Sequence, residues 1–404
     1  MPENVVQQDP RDTFFISNPY SQYEKWHSRG EPIFWSDYGF WCLFNFDEVN
    51  RTLRDRRFAR LPPASIPRPP TASHMHDFAA AEEYSLLALE PPQHTRLRKL
   101  VNRAFVSRQI DRMESVIAAM AHDCIDIFEA NSQIEILQYF ATPIPLNVIT
   151  RLLGVPESAG ASLVAWSHAM VRVYTKKQTY EEEIIANRAA ADFRSFLFEL
   201  IEVKRAQPGD DLLSHLLALH DEQLISKEEI ASVTILLLNA GHEATVHQLG
   251  NAIYLLLKHY GGDRRRELTD ALADNEKADC LVAECLRFAA PLHLFTRFAQ
   301  EPVTLDNGVE LAAGAELGLL LAAANRCPQK FQYPDKFIPG RPDAAHLSLG
   351  AGIHYCVGAH LSKLELRIAL QVLFQRLPTL ALAEEPQYQD AFHFHGLESL
   401  QVHW

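Results

Sequence analysis

Ser348-Leu349-Gly350-Ala351-Gly352-Ile353-His354-Tyr355-Cys356-Val357-Gly358 governs the reading of this chain of 404 residues. Gly350 and Gly352 let the backbone come close to a large flat ligand, because glycine has no Cβ and tolerates positive φ. The loop then delivers Cys356 to the start of a segment, 358–376, with helical apolar periodicity. A helix N-terminus offers free N–H groups and positive dipole charge, which favour thiolate over thiol. An anionic sulfur on a constrained loop, two residues after His354, is suited to ligating a metal. Read alone, Cys356 also fits a buried structural cysteine in a turn.

Composition bounds what surrounds this loop. At 47% hydrophobic the chain can bury a large core, and its net charge of −13 argues against nucleic acid as a partner, since duplex binding needs a concentrated basic surface. Met1-Pro2-Glu3-Asn4 carries neither a basic nor an apolar leader, and no stretch approaches the ~20 apolar residues of a membrane span. Cysteines 42, 124, 280, 285, 327 and 356 are too scattered for a disulfide framework or a zinc motif. The expectation is a cytoplasmic protein with no membrane anchor. No linker or repeat divides the chain, so 1–404 reads as a single domain, with 1–17 loosely ordered.

Helical periodicity recurs at 94–105, 110–130, 160–175, 181–206, 227–258, 274–289 and 358–376. Near the N-terminus a helix over Tyr20–Arg29, aromatic-rich strands over Ile33–Phe46 and a helix over Asp47–Asp55 are expected. Later strands are expected over 295–304, 308–320 and 392–404. Five prolines between Pro62 and Pro70 open a segment, 60–88, expected to be irregular throughout. Long structureless segments inside a compact protein are usually functional or disordered. The expected fold is mainly α with a minor β part.

Gly350-x-Gly352-x-His354-x-Cys356-x-Gly358 resembles the haem-binding loop of the cytochrome P450 family, the haem-thiolate monooxygenases. Leu349 stands where the family usually has Phe. Glu284 and Arg287 share a helix face at i, i+3, and Phe337-x-Pro339-x-Arg341 and Ala324-Asn325-Arg326 follow at family-like separation. Glu284, Arg287 and Arg341 thus resemble the charged triad that locks the scaffold behind the haem loop. The resemblance runs from about Asn18 to Trp404 and implies that family's single-domain fold. It implies haem b, held without covalent attachment, with Cys356 as axial ligand within the Leu349, Gly350 and Gly358 loop. His94, Arg98, Arg297 and His354 match positions that hold the propionates, where an arginine fork can grip a carboxylate.

Leu238-Asn239-Ala240-Gly241-His242-Glu243-Ala244-Thr245 lies in the long helical segment 227–258. Small residues at Ala240 and Gly241 suggest a groove and a local distortion of the helix where oxygen can sit. A carboxylate in an apolar helix is unfavourable unless paired or used, so Glu243 is a candidate proton carrier. The family pattern places threonine directly after the acid. Here Ala244 replaces it, and Thr245, one step on, is rotated by about 100°.

The resemblance implies insertion of one oxygen atom from O2 into a largely apolar small molecule such as a terpenoid, polyketide or aromatic natural product. Candidate pocket residues by family position are Met75, Phe78, Leu86, Leu87, Val171, Leu237, Leu238, Leu294, Phe295 and Phe394, together with Ala240 and Ala244. Arg172, Lys176 and Lys177 lie near the family's mobile lid. No flavin or dinucleotide motif is present, so electrons are expected from a separate ferredoxin and its reductase. Arg96, Lys99, Arg103, Arg108, Lys330 and Lys363 are candidates for its docking surface, on a protein expected to be a monomer. Two other readings stay open from sequence: an oxidase, peroxygenase or isomerase of the same fold, and a non-catalytic haem or ligand binder.

Overall fold

The computed structural model describes residues 4–404 apart from 69, 105, 106 and 175–177, and the side chains of 104–111 also fall outside the description. In chain order the helices are α1 (Thr13–Ser17), α2 (Pro19–Arg29), α3 (Phe46–Arg54), α4 (His76–Glu82), α5 (Gln93–Ala104), α6 (Ser107–Phe128), α7 (Pro143–Leu153), α8 (Gly160–Arg172), α9 (Tyr180–Ala206), α10 (Leu212–Asp221), α11 (Lys227–His259), α12 (Arg265–Leu272), α13 (Asn275–Phe288), α14 (Leu321–Ala324) and α15 (Ala359–Arg376). The strands are β1 (Val5–Val6), β2 (Ile33–Trp35), β3 (Phe40–Leu43), β4 (Phe58–Ala59), β5 (Gln133–Glu135), β6 (Leu294–Ala299), β7 (Val303–Thr304), β8 (Glu310–Leu311), β9 (Glu316–Leu320), β10 (Ala381–Leu382) and β11 (Gln401–His403).

Backbone contacts group the chain into two units. One holds the described residues up to Pro67 with Ala121–Ala141 and Ala244–Trp404, and it contains every named strand. The other holds the described residues of Arg68–Met120 and Thr142–Glu243 and is helical.

In the first unit, six strands pair in the order β1-β2-β3-β9-β6-β4. Successive strand residues point to opposite faces. Leu43, Leu317 and Leu319 accordingly join one buried cluster, with Val49, Leu53 and Phe331. Cys42 and Leu320 join another, with Trp26, Trp35 and Phe392. Both faces of the sheet are therefore covered. Gly318 in β9 is required by this packing, because a Cβ there would overlap Cys42 and Phe40.

The second unit shows why the helices start where they do. Thr179 caps α9 with a reciprocal box: Glu182 N donates to Thr179 Oγ1 at 3.2 Å, and Thr179 N donates to Glu182 Oε2 at 2.7 Å. This satisfies two N–H groups the helix leaves without partners. Glu181, Glu182 and Glu183 occupy the first turn and Lys204 and Arg205 the last, as the helix dipole favours.

Two regions differ from the sequence expectation. Residues 60–88 are not irregular throughout: Ser73–Met75 is a 3-10 turn that leads into α4. The proline run ends at Pro70, and Phe78-Ala79-Ala80-Ala81-Glu82 contains the strongest helix former three times. Asn187 of α9 then accepts from the N–H groups of Asp77 and Phe78 at 2.8 and 3.0 Å, holding the α4 N-terminus. Residues 1–17, expected loose, contain β1, which pairs in parallel with β2, and α1, whose first turn is capped by Asp12. Phe15 and Ile16 are 5% and 3% exposed, so burial fixes a segment too short to show periodicity. Helices α7, α10 and α12 also escaped the periodicity reading. The C-terminal strand shortens to β11, with isolated bridges before it.

Helix α15 is buried on every side from Leu364 to Leu370, and the run includes Glu365 and Arg367. Arg367 meets Asp279 at 3.2 Å. Glu365 Oε1 has no hydrogen-bond partner among the described residues, and burial pushes its carboxyl up to about 8. The unfolded carboxyl titrates near 4.5. Between those values the folded state holds the extra proton, so this group makes stability fall as pH rises, with its full penalty above pH 8. Glu365→Gln should leave the urea midpoint unchanged near pH 4.5 and raise it at pH 8.5, by an amount on the order of 4 kcal/mol in unfolding free energy. Parallel midpoint curves for parent and variant across that window would show that Glu365 is not held protonated.

Candidate active site

The Cys356 loop hangs from a buried charge network in the first unit. Arg287 grips the Glu284 carboxylate with Nε and Nη2, both at 2.8 Å, and Arg341 grips it with Nε and Nη2 at 3.0 and 3.2 Å. Paired N–H groups on paired oxygens make the strongest arginine–carboxylate geometry. Ile338 N adds a third donor at 2.8 Å. Burial alone would raise the Glu284 carboxyl, but the bonds and charge of Arg287, then the Arg341 bond, hold it below its ordinary value. The structure therefore brings Glu284, Arg287 and Arg341 together.

From this network the contacts run to the loop. Arg287 Nη1 donates to Asn325 O at 2.8 Å. The Asn325 side chain, fully buried, donates to Ser348 Oγ at 2.8 Å and accepts from Leu347 N at 2.7 Å. Ser348 Oγ donates to Leu286 O at 2.5 Å, back on α13. Within the loop, Gly350 N reaches Leu347 O, Tyr355 N reaches Gly352 O and Cys356 N reaches Leu349 O, at 2.8, 3.2 and 3.0 Å. Gly350 and Gly352 both take φ of +70°. Gly352 has a second reason to lack a side chain: a Cβ there would overlap the carbonyl oxygen of Leu53 at the end of α3. Cys356 is half-buried and in no disulfide, and Ala359 N, opening α15, bonds its carbonyl at 3.4 Å. Leu349, His354 and Gly358 are half-buried around it, and Phe295 of β6 lies against Gly350. Arg297, on the same strand, is 2% exposed and donates Nη1 to Thr296 O at 2.8 Å.

His94 and Arg98, on α5, belong to the second unit. His94 is 2% exposed, and Arg98 is half-buried with Nε donating to Asn102 at 3.2 Å. Within the first unit, the Cys356 thiol ahead of α15, the positive-φ glycines of its loop and the buried Arg297 fit a haem and one of its carboxylates.

Helix α11 runs as one element from Lys227 to His259, through Ala240 and Gly241. The two small residues do different things. A Cβ at Gly241 would press on Ile149 of α7 at 3.1 Å, so this glycine allows close helix packing. Ala240 is exposed although residues 229–239 are all buried, and Ala244, one turn on, is half-buried. Thr245 is 6% exposed. Two imidazoles lie near Glu243 Oε2: His168 Nε2 of α8 at 3.2 Å and His242 Nδ1 of α11 itself at 3.7 Å. The Glu243 hydrogen bond raises the His168 imidazole above its ordinary value, against partial burial. Sequence reading missed His168 because no local pattern links it to a residue 75 positions away.

Among the pocket candidates, Val171, Leu237 and Leu238 are buried on α8 and α11, and Leu86 and Leu294 are buried too. Met75, Phe78, Phe295 and Phe394 are half-buried, whereas Leu87 is exposed. Phe394 lies 6.4 Å from the His247 ring. In the candidate docking set, Arg96 is tied to Glu229 and to Leu224 O, and Lys330 to Asp343 at 2.8 Å, so neither is a freely presented charge. Lys99 and Arg103 are exposed and Lys363 is half-buried. The Arg108 side chain and residues 176 and 177 lie outside the described residues. Among the described residues no helix is long and apolar enough to cross a membrane.

Comparison with known proteins agrees with this geometry. Residues 165–392 match the profile of the Cytochrome P450 family. The chain is 33% identical to the biotin biosynthesis cytochrome P450 of Bacillus subtilis, over 96% of each protein. It is 35% identical to the cytochrome P450 monooxygenase PikC of Streptomyces venezuelae, over 90% of this chain and 85% of that protein. The crystal structure of P450BioI in complex with hexadec-9Z-enoic acid ligated acyl carrier protein superimposes with a TM-score of 0.89 at 31% identity, covering 97% of this chain and 100% of that one. The chain belongs to the cytochrome P450 family. It is a haem-thiolate monooxygenase, and its class uses haem with a cysteine thiolate, O2, a substrate and a redox partner.

The loop geometry makes a direct prediction. Gly352→Ala would place a methyl group against Leu53 O at a φ that L-residues rarely adopt, so the loop must shift. The purified variant should carry well under half the parental haem per chain, measured by pyridine haemochrome, while far-ultraviolet circular dichroism stays near the parental signal. Full haem content would show that the loop accommodates the side chain.

Proposed function

We propose that this chain hydroxylates a largely apolar small molecule, with Cys356 as the haem ligand. The observation that carries the reading is the fixed presentation of the Cys356 thiol by a loop tied through Ser348 and Asn325 to Arg287 and Glu284. The group it suits is haem b, bound non-covalently, since no Cys-x-x-Cys-His motif occurs. When bound, haem supplies the oxygen activation, and the thiolate donates electron density that favours O–O cleavage. The protein residues hold it and control what reaches it. In the first unit Arg297 and His354 would be available to its carboxylates, and by family position His94 and Arg98 of the second unit would serve the same role.

Glu243 carries the proton. Ala244 offers no hydroxyl and Thr245 is buried, so Glu243, which lies beside His168, is the carboxyl of that turn. It delivers protons through ordered water or through a hydroxyl of the substrate. A positioned acid of this kind contributes roughly 10²–10⁴-fold.

Met75, Phe78, Val171 and Leu237 of the second unit would offer the substrate apolar surface, and by family position Leu294 and Phe394 of the first unit are candidates for the same role. Relatives named for polyketide, macrolide, vitamin D and biotin-precursor metabolism support an oily polyketide-like or acyl substrate over a polar one. Electrons would come from a ferredoxin and its reductase, with Lys99 and Arg103 among the exposed cations available to an acidic partner. The protein is read as a cytoplasmic monomer.

Two experiments test this reading. In the reduced, CO-treated protein the Soret band should sit at the long wavelength of thiolate ligation, and Cys356→His should move it to the imidazole position. A thiolate spectrum in that variant would remove Cys356 as the ligand. Glu243→Gln should slow product formation by about tenfold or more with haem content and substrate-induced spectral change retained. If Glu243→Gln turns over like the parent while Thr245→Val uncouples electron use from product, the proton path runs through Thr245.

A further inference from the structure

One imidazole is enough to hold the Glu243 carboxylate, yet two converge on it. His168 comes from α8 and His242 from α11, and a ring nitrogen of each lies near the same oxygen, Oε2, at 3.2 and 3.7 Å. The rings lie 5.8 Å apart at 35°. One ligand atom from each of the three residues lies within 4.8 Å of the others.

We propose that His168, His242 and Glu243 form a binding site for a divalent transition-metal ion of the zinc type, and that occupation withdraws Glu243 from proton delivery. Two imidazoles and one carboxylate are a donor set that zinc takes with a fourth position left for water. Hard cations such as magnesium and calcium prefer oxygen ligands, and the absence of sulfur in the set disfavours copper(I). Tetrahedral zinc, with bonds of about 2.0–2.2 Å, sets ligand atoms roughly 3.3–3.5 Å apart. The 3.2 and 3.7 Å separations bracket that value, and the third closes to it by no more than about 1.5 Å. His168 can make that movement, because its side chain is 52% exposed while that of His242 is 3% exposed. The exposed imidazole is also the side from which an ion arrives from solvent. With the ion bound, the carboxylate is a metal ligand and cannot carry a proton, and α8 is clipped to α11.

The effect on turnover rests on the relay reading of Glu243, whereas the binding itself does not, so the two are measured separately. Zinc-free holoprotein is dialysed against zinc chloride, and bound zinc is counted by elemental analysis for the parent and for His168→Ala. The parent should hold one zinc ion that the variant loses. Its affinity should fall by more than the roughly 10–100-fold that outer-shell partners of metal ligands cost. Zinc-edge X-ray absorption of the parent should show nitrogen and oxygen neighbours with imidazole scattering. Equal zinc content and affinity in the two proteins, or sulfur in the shell from cysteines such as the exposed Cys280, would overturn the site. Turnover is then compared with and without zinc under one electron supply. Zinc should inhibit the parent more strongly than His168→Ala. Zinc bound at this site with parental turnover unchanged would keep the site and overturn the role of Glu243.

Discussion

A single carboxylate, buried between two guanidinium groups, underlies the placing of the reactive cysteine. Glu284 receives bidentate grips from Arg287 and Arg341 and is 2% exposed. Buried pairs of this kind add little net stability against apolar replacements, but removing one partner is severe because a charge is left without compensation. Their value here is geometric. Arg287 also binds the carbonyls of Asn325, Pro334 and Lys336, so it fixes three points of irregular chain at once. Asn325 passes that order to Leu347 and Ser348 through both ends of its amide. A loop of nearly free backbone, rich in glycine, thereby acquires one conformation without needing a regular element of its own.

The long helices were legible because their apolar faces repeat over many turns. Helices α9, α11 and α15 have ends within one or two residues of those read from periodicity. Helix α10 was not legible for the opposite reason: Leu212, Leu213, Leu216, Leu217 and Leu219 are all buried, so no polar face marks its period. Helix α4 was hidden by the prolines before it, and α1 by its length of five residues. Propensity and tertiary burial decide such short pieces, and neither leaves a pattern in one window.

At the site, contacts within a motif were readable and contacts across the chain were not. The i, i+3 spacing of Glu284 and Arg287 announces their pairing, and the glycine positions announce the turn before Cys356. The packing role of Gly241 was not readable, because a glycine that opens space and one that lets Ile149 approach look alike in sequence. His168 is the clearest omission. Its significance lies wholly in standing 3.2 Å from Glu243, and only the packing of α8 on α11 creates that distance.

The C-terminal segment carries a consequence for how the two ends of the chain relate. His395 is 2% exposed, and its Nε2 donates to Ile16 O at 2.8 Å, while Asn251 donates to the His395 carbonyl at the same distance. Phe392 stacks obliquely on Phe15, with centroids 5.0 Å apart. Phe394 sits between these two anchored residues. Helix α1 is thus a buttress for the segment that bears Phe394, so shortening or remodelling the first seventeen residues is an alteration of the far end of the chain.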